Sequence, residues 1–189
     1  MPELPEVETM CRGIACFCGE IIATTQFPRY TRRPSPIEPR PRTMAAKLHR
    51  SRIMDITRLG KRAVLRIQHN ETPVDSFLVF EPRMTGLLLR VSPPTQQHVR
   101  LAITTREKQR LIFWDRRGLG TITLIDKSTF EARFGSHALG PDALTITGAA
   151  LHTKIHSSRR HIKVALLDQK ILAGVGNIYA SEILHEAKV

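Results

Sequence analysis

The feature that most constrains the fold is a series of short apolar segments, separated by turn residues, that fills the middle of the chain. The segments lie at residues 21–26, 48–56, 63–67, 76–80, 87–91, 99–104, 111–115 and 121–125. Short strands with turns at this spacing are typical of antiparallel sandwiches and barrels. We therefore expect an antiparallel β-sandwich in this part of the chain.

Helical patterns follow the strands. Residues 149–155 and 163–170 have helical character, and a further helix is expected after a glycine turn at 174–176. Asn177 is the predicted cap of that helix, and free amides at its start would suit a phosphate. A plain helical hairpin with an asparagine cap is the alternative.

An excess of basic residues indicates the class of partner. Lysine and arginine number 29 against 17 acidic residues, giving a net charge of +12 and a sequence pI near 10.5. Such an excess favours nucleic acid, although a basic structural protein that binds RNA is an alternative. The proline- and arginine-rich stretch 28–42 is expected to be an exposed loop, either a solvated insertion or a contact to DNA phosphates.

Hydropathy and cysteine usage indicate a soluble, intracellular (cytoplasmic) protein. The sequence has neither an apolar run of membrane-spanning length nor a signal-peptide pattern. Its three cysteines, Cys11, Cys16 and Cys18, suit neither a disulfide framework nor a paired-cysteine zinc motif. We expect no metal to bind them.

The first residues have a reactive chemistry. Removal of the initiator methionine would make Pro2 a secondary amine, and a chain terminus titrates near ~8, against ~10.4 for lysine, so it can attack a carbonyl carbon at neutral pH. The carboxyl of Glu3 beside it could transfer protons at a sugar under attack. Pro5 and Glu6 also suit the start of a helix, predicted from residue 5 to 17, so a helix-capping segment is the alternative.

The octet from Pro2 to Thr9, Pro-Glu-Leu-Pro-Glu-Val-Glu-Thr, resembles letter for letter the N-terminal signature of the formamidopyrimidine-DNA glycosylases, the Fpg/endonuclease VIII family. The resemblance implies that Pro2 is the nucleophile, Glu3 the acid/base and Glu6 a second carboxylate at the site. The octet is more similar to the oxidised-purine branch of the family than to the oxidised-pyrimidine branch.

Two turns extend the resemblance. The turn at 58–62 resembles a basic family turn ending in Gly-Lys, which implies that Lys61 reaches the DNA backbone beside the lesion. Met84-Thr85-Gly86 resembles the turn whose methionine fills the gap left by an extruded nucleotide. On pattern alone, Lys61 is a solvated hairpin residue and Met84 a core residue.

The sequence departs from the family pattern at two places. Glu81-Pro82-Arg83 stands where the family has His-Leu-Gly. Asp115-Arg116-Arg117-Gly118-Leu119-Gly120 stands where the family has Asp-Pro-Arg-Arg-Phe-Gly, so Arg117 and Leu119 match residues that enter the space opposite the flipped base. Gly118 removes one cationic contact there, which leaves the opposite-base preference open.

The C-terminal block is nearly identical to the helix–two-turn–helix signature of the family. Lys163 and Asn177 match its phosphate-contacting positions, and Leu139 to Asp142 resembles the connector between its two domains. We expect a catalytic β-sandwich domain at 1–134, a linker at 135–147 and an incomplete helical domain at 148–189. The zinc hairpin with which the family continues has no counterpart among these residues, so no cofactor is expected.

These observations predict an α+β fold: an antiparallel β-sandwich with a leading N-terminal helix, then a helical domain with a helix–two-turn–helix element. The resemblance implies a bifunctional DNA glycosylase/AP lyase of base excision repair. It would remove oxidised purines (8-oxoguanine, formamidopyrimidines) through a Schiff base on Pro2, with β,δ-elimination. The expected partner is double-stranded DNA containing oxidised bases or abasic sites, bound by a monomer with no obligate protein partner. The alternative is a DNA-binding remnant with lost or lyase-only activity.

Overall fold

The computed structural model describes residues 2–28, 35–69 and 75–189. Its strands are β1 Ile22–Gln26, β2 Ile37–Glu38, β3 Arg52–Leu59, β4 Arg62–Gln68, β5 Asp75–Glu81, β6 Gly86–Leu89, β7 Val99–Thr105, β8 Arg110–Asp115 and β9 Thr121–Asp126. Its α-helices are α1 Leu4–Gly13, α2 Pro41–Leu48, α3 Lys127–Phe134, α4 Gly148–His156, α5 Ile162–Leu167 and α6 Asn177–Glu186. Every predicted strand segment contains a strand.

The strands form two sheets, with the orders β1-β7-β8-β6 and β2-β9-β5-β4-β3. All pairs are antiparallel except β2 with β9. Large side chains from both sheets, such as Phe80 and Phe113, are fully buried in one apolar cluster between them. The predicted α+β class and β-sandwich are confirmed.

Helix α1 covers the sandwich and brings the N-terminus to its edge. Its buried residues are Leu4, Val7, Met10 and Cys11. This spacing places them on one face of a helix. That face packs on β3, β4 and β6. The predicted extension to residue 17 is observed as a separate 3-10 turn, Ala15–Phe17.

The prediction of a loop at 28–42 is wrong at its C-terminal end, and residues 29–34 of it lie outside the described residues. Strand β2 pairs with β9, and α2 begins at Pro41. A proline fits the first helical position because that residue needs no intrahelical N–H partner. Met44 and Leu48 of α2 are buried, so Leu48 belongs to a helix and not to the strand predicted around it.

Helices α4, α5 and α6 pack around a smaller apolar cluster built on Leu166, Leu172, Val175 and Ala180. α5 ends at Leu167, three residues earlier than predicted. There the Asp168 carboxylate accepts a hydrogen bond from the Lys170 amide and turns the chain. Helix α6 begins after the glycine turn, as expected. None of the helices within the described ranges is long and apolar enough to cross a membrane.

Candidate active site

Pro2 lies in an open cleft between the sandwich and the helical part of the chain. The cleft is lined by Pro2, Lys61, Arg62, Glu81, Arg83 and Gln169. Pro2 is half-buried, and so is Lys61, which follows Gly60 in the two-residue turn between β3 and β4. The fold therefore brings together two of the residues predicted to be catalytic.

Glu3 follows Pro2 in the chain, and its side chain caps helix α6. Its side chain is 1% exposed. The carboxylate accepts hydrogen bonds from the amides of Gly176 at 2.7 Å, Ile178 at 2.9 Å and Tyr179 at 3.2 Å. An anion at a helix N-terminus is favourable, and the three donors compensate the cost of burying a charge. The start of α6 thus fixes the residue next to Pro2.

The predicted role of Asn177 as a cap is wrong. Gly176 occupies the N-cap position and Asn177 is the first, exposed residue of α6. The amides expected to be free for a phosphate donate instead to Glu3, from the opposite end of the chain. The Asn177 side chain is left at the surface of the helix start, where its predicted contact with a phosphate stays a prediction.

Lys163 lies beside the same helix start. Its Nζ donates to Ser181 Oγ at 2.9 Å, and Ser181 Oγ donates to the Asn177 carbonyl at 2.9 Å. The two residues predicted to contact phosphate therefore share one hydrogen-bonded path across α5 and α6. The structure brings them together on the helical part of the chain.

Two glycines allow the N-terminal segment to approach α6. Gly174 has φ +105°, and a Cβ there would lie 2.4 Å from Leu4 Cδ1. A Cβ on Gly176 would lie 2.3 Å from Glu3 Cδ. The Leu4 amide also donates to the Gly174 carbonyl at 3.1 Å. The glycine turn therefore lies in close contact with residues 3 and 4.

Gln169 holds the glycine turn from the inside. Its Oε1 accepts from the Gly174 amide at 3.0 Å and its Nε2 donates to the Val175 carbonyl at 2.9 Å. The sequence resemblance assigns no role to Gln169. Its side chain amide both shapes the turn and lines the cleft beside Pro2.

Glu6 is exposed and helps to start α1. Its Oε2 accepts a hydrogen bond from the Glu3 amide at 2.8 Å. A residue that satisfies the backbone at a helix start is the reciprocal half of a capping box. The capping interpretation of the N-terminal octet is thus realised at Glu6, on the same turn of chain that carries Pro2.

Lys61 is neither deeply buried nor fully solvated. Burial lowers its pKa; the charge of Glu3 opposes this effect and that of Arg62 adds to it. Lys61 therefore lies within electrostatic reach of the Glu3 carboxylate. The alternative of an ordinary solvated hairpin lysine does not describe its environment.

The Arg58 side chain forms hydrogen bonds to three segments of the chain, namely α1, the turn between β3 and β4, and the connector. Its Nε donates to Glu8 of α1 at 2.9 Å and its Nη1 to the Gly60 carbonyl at 3.0 Å. Its two Nη atoms also donate to Asp142 in the connector, at 2.6 and 2.9 Å. Burial alone would raise the pKa of Asp142, but bonds from Arg58 and the Leu144 amide hold it below its ordinary value.

Met84, Arg117 and Leu119 occupy two adjoining turns. Met84 is 41% exposed, so its alternative assignment to the core is wrong. Arg117 is exposed and Leu119 half-buried. The Arg117 amide donates to Thr85 Oγ1 at 3.0 Å, which joins the two turns. The three residues are therefore available together at the surface.

Acidic and basic side chains that sequence reasoning did not assign complete the cleft. Glu81, at the end of β5, bonds Arg62 and pairs with Arg83 at 2.9 Å. The pair Arg62–Glu81 could have been found from the sequence, because two oppositely charged residues lie at facing ends of adjacent antiparallel strands. The departure at 81–83 therefore introduces an ion-pair group beside Pro2.

The three cysteines differ in exposure, since Cys11 is buried and Cys16 and Cys18 are exposed. Cys11 is buried and its thiol contacts the Thr57 carbonyl, and burial raises its pKa to about 11. Among the described residues, no group of three or more histidine, cysteine, aspartate or glutamate side chains could hold a metal ion. These residues therefore do not fit the zinc hairpin of the family.

Comparison with known proteins supports the family resemblance over the whole chain. Residues 1–122 match the sequence model of the formamidopyrimidine-DNA glycosylase N-terminal domain, and residues 138–189 match that of the formamidopyrimidine-DNA glycosylase H2TH domain. The formamidopyrimidine-DNA glycosylase of Chloroflexus aurantiacus is 36% identical over 195 residues, covering 100% of this chain and 66% of its own length. That of Zymomonas mobilis is 33% identical, covering 100% of this chain and 68% of its own length.

Solved structures of a member of the same family are also similar to this chain. Lactococcus lactis Fpg in complex with abasic-site DNA superposes with a TM-score of 0.81 at 28% identity, covering 99% of this chain and 67% of that one. The same enzyme in complex with DNA containing an oxidised pyrimidine gives 0.80 at 29% identity, covering 100% and 69%. This chain thus spans about two thirds of the length of the relatives that it matches. On this evidence, the chain belongs to the formamidopyrimidine-DNA glycosylase family.

Proposed function

We propose that this protein is a DNA glycosylase with AP lyase activity that acts on oxidised purines in double-stranded DNA. The observation that carries the proposal is the position of Pro2, which lines a basic cleft beside Lys61 while the start of α6 holds its neighbour Glu3. A secondary amine in a cleft that also presents cations suits attack on a sugar in a polyanion.

In the proposed reaction the nitrogen lone pair of processed Pro2 forms a bond to C1′ of the damaged nucleotide. The glycosidic bond breaks, and its electron pair leaves with the base, which takes up a proton. The Pro2 nitrogen then loses its proton and forms a double bond to C1′ as the C1′–O4′ bond breaks and O4′ takes up a proton, which gives a positively charged Schiff base. Loss of a C2′ proton then expels the 3′ phosphate, and a second elimination expels the 5′ phosphate.

Glu3 stabilises the positive charge that forms on this Schiff base. Its carboxylate is fixed by three amides, so it loses little free energy to reorganisation when the cation appears. We assign it proton transfer at the sugar as well, because it directly follows Pro2 in the chain. Glu6 contributes indirectly, since it holds the Glu3 amide.

Cationic residues on both sides of the cleft bind the DNA backbone. Lys61 contacts the phosphate beside the lesion, and Lys163 with Asn177 contacts another from the helical side. Met84 and Leu119 enter the base stack when the nucleotide is extruded, and Arg117 faces the base left opposite. The exposure of Met84 and the link between its turn and that of Arg117 support this assignment.

Borohydride trapping tests the proposal. The protein is incubated with a duplex containing either an abasic site or 8-oxoguanine, beside Pro2→Gly and a control, Pro5→Gly, that changes the same residue type inside α1. Mass spectrometry first establishes that the initiator methionine has been removed. We expect a covalent adduct with both duplexes that Pro5→Gly retains and Pro2→Gly reduces without abolishing, because a terminal glycine still carries a primary amine.

The other outcomes separate the alternatives. Trapping on the abasic duplex alone identifies a lyase that does not recognise the damaged base. Binding without trapping on either duplex contradicts the enzymatic proposal and identifies a DNA-binding remnant.

A further inference from the structure

A buried carboxylate outside the cleft connects the two turns that carry Met84, Arg117 and Leu119. Asp115 is the last residue of β8 and is 0% exposed. Its Oδ1 accepts from Thr85 Oγ1 at 2.5 Å and from the Arg117 amide at 3.2 Å. Its Oδ2 accepts from the Gly120 amide at 2.7 Å.

Each of these donors is next to, or part of, a residue assigned to the base stack. Thr85 follows Met84, and Gly120 follows Leu119. The Thr85 hydroxyl also accepts from the Arg117 amide at 3.0 Å, which closes a ring of hydrogen bonds around the carboxylate. One buried group thus sets the position of one turn relative to the other.

The surroundings give these turns little freedom to rearrange. The Asp115 carbonyl accepts a hydrogen bond from the buried Arg100 side chain at 2.8 Å. A Cβ on Gly120 would lie 2.7 Å from Phe113 Cζ and 3.1 Å from Asp115 Oδ2. Gly118 adopts φ +65°, which side chains disfavour. The carboxylate therefore sits in a site shaped for it.

We propose that Asp115 is a positioning residue for nucleotide extrusion, which holds the Met84 turn and the Leu119 turn in register so that they enter the DNA stack as one rigid unit. The inference rests on the proposed function. Asp115 touches no substrate in this scheme; it acts through Thr85, Arg117 and Gly120. A rigid pair of turns reduces the conformational entropy lost on insertion.

The decisive variant is Asp115→Asn, which keeps the shape but places an amide NH₂ against at least one N–H or O–H donor. Asp126→Asn is the matched control. Asp126 also ends a strand and accepts from a backbone amide and a hydroxyl, but it caps α3, and asparagine is an equally good cap. Thr85→Val provides a second variant that removes one donor and leaves the carboxylate in place.

Insertion is measured without chemistry. 2-Aminopurine is placed beside a tetrahydrofuran abasic analogue, and its fluorescence increases when the neighbouring base is unstacked. Excision of 8-oxoguanine and trapping on a natural abasic site are measured in parallel. Loss of a hydrogen bond to a charged group predicts a decrease of about 10- to 100-fold in excision. Trapping should decrease less, because no base has to be extruded.

We expect Asp115→Asn and Thr85→Val to bind the duplex with a reduced fluorescence change, while Asp126→Asn matches the unaltered protein. Equal losses in excision and trapping, in proportion to a loss of thermal stability, would show only a structural role and overturn the inference. So would full insertion by Asp115→Asn, or the absence of insertion by the unaltered protein on DNA that anisotropy shows to be bound. If the unaltered protein inserts but does not trap, the proposed function fails while the inference is still tested.

Discussion

Substitution of Gly176 by alanine tests whether Glu3 is held by helix α6. A Cβ at this position would lie 2.3 Å from Glu3 Cδ and 2.4 Å from its Oε1, far inside van der Waals contact. Gly176 has φ −119°, which alanine adopts without strain, so the change acts on the carboxylate and not on the backbone. Glu3 must leave its three amides.

The magnitude follows from what is lost. A hydrogen bond to a charged group contributes about 1.5–3 kcal/mol, and the three bonds share one carboxylate and are not additive. We expect the free energy of unfolding to fall by about 2–4 kcal/mol in total. For a chain of this length each kcal/mol lowers Tm by about 2–4 °C, so the melt should shift by roughly 5–15 °C.

Differential scanning calorimetry measures the shift, with Gly148→Ala as control. Gly148 begins α4, and a Cβ there meets no atom within 4 Å. Borohydride trapping on an abasic duplex, below both melting temperatures, should fall at least about tenfold for Gly176→Ala, since 1.4 kcal/mol of lost orientation is sufficient. If the free energies of unfolding of Gly176→Ala and Gly148→Ala differ by less than about 1 kcal/mol and both variants give the same yield of trapped adduct, the α6 amides do not position Glu3.

Four further changes test other parts of the site. Met84→Ala should change the free energy of unfolding by no more than about 0.5 kcal/mol, as is typical of surface positions, but should reduce excision of 8-oxoguanine. Met44→Ala, at a fully buried position, should lower the free energy of unfolding by about 2–5 kcal/mol in a denaturant titration. Lys61→Met should make DNA binding less dependent on salt. The loss of one phosphate contact predicts a change of ~0.9 in the slope of log K against the logarithm of the salt concentration, measured by anisotropy. An unchanged slope would contradict a contact between Lys61 and a phosphate. Arg58→Met should flatten the dependence of stability on acid pH. Hydrogen bonds from Arg58 help to hold the pKa of Asp142 below its ordinary value, so this stabilisation is present above the unfolded pKa near ~4 and is lost as pH falls through the folded one. The pKa of Glu8 is lowered first by Arg12, which remains in the variant, and second by Arg58, so part of the slope should persist. A thermal melt series with an unchanged slope would refute this. Ile178 and Ile183 of α6 are 55% and 38% exposed, so Ile178→Ser should reduce any concentration-dependent association seen by sedimentation, and unchanged association would contradict this.

The sandwich could be predicted from the sequence because its signals are local. Strands are indicated by the alternation of apolar and polar residues, and turns by residues close together in sequence. The two-residue turn at Gly60, where φ is +58°, is an example. Helices α2 and α3 were not predicted, because local patterns do not indicate them. The prolines and arginines before α2 argue locally for a loop, and Phe130 of α3 is held by stacking on Phe77 at 4.2 Å, a contact between distant residues.

The arrangement of the site depends on contacts that no local pattern contains. Asn177 satisfies the local rule for a cap, but a carboxylate 173 positions from Gly176 takes that place. The resemblance identified Pro2, Glu3 and Lys61 as a group, and the fold places them near one another. It could not show that Glu3 is buried against α6, nor that Arg58 joins the lysine turn to the connector.

These contacts make the site depend on docking of the helical part of the chain against the sandwich. Glu3 accepts three hydrogen bonds from the start of α6, and without them this residue, which is 1% exposed, would have to return to water and move Pro2 with it. Arg58 couples the Lys61 turn to Asp142, so the same docking also fixes the cation across the cleft. Loss of either link should therefore lower the reactivity of Pro2 although neither involves its nitrogen. Pro2 and the Lys61 turn are each linked to the helical part of the chain by one side chain, Glu3 and Arg58 respectively, which makes the cleft geometry depend on both parts.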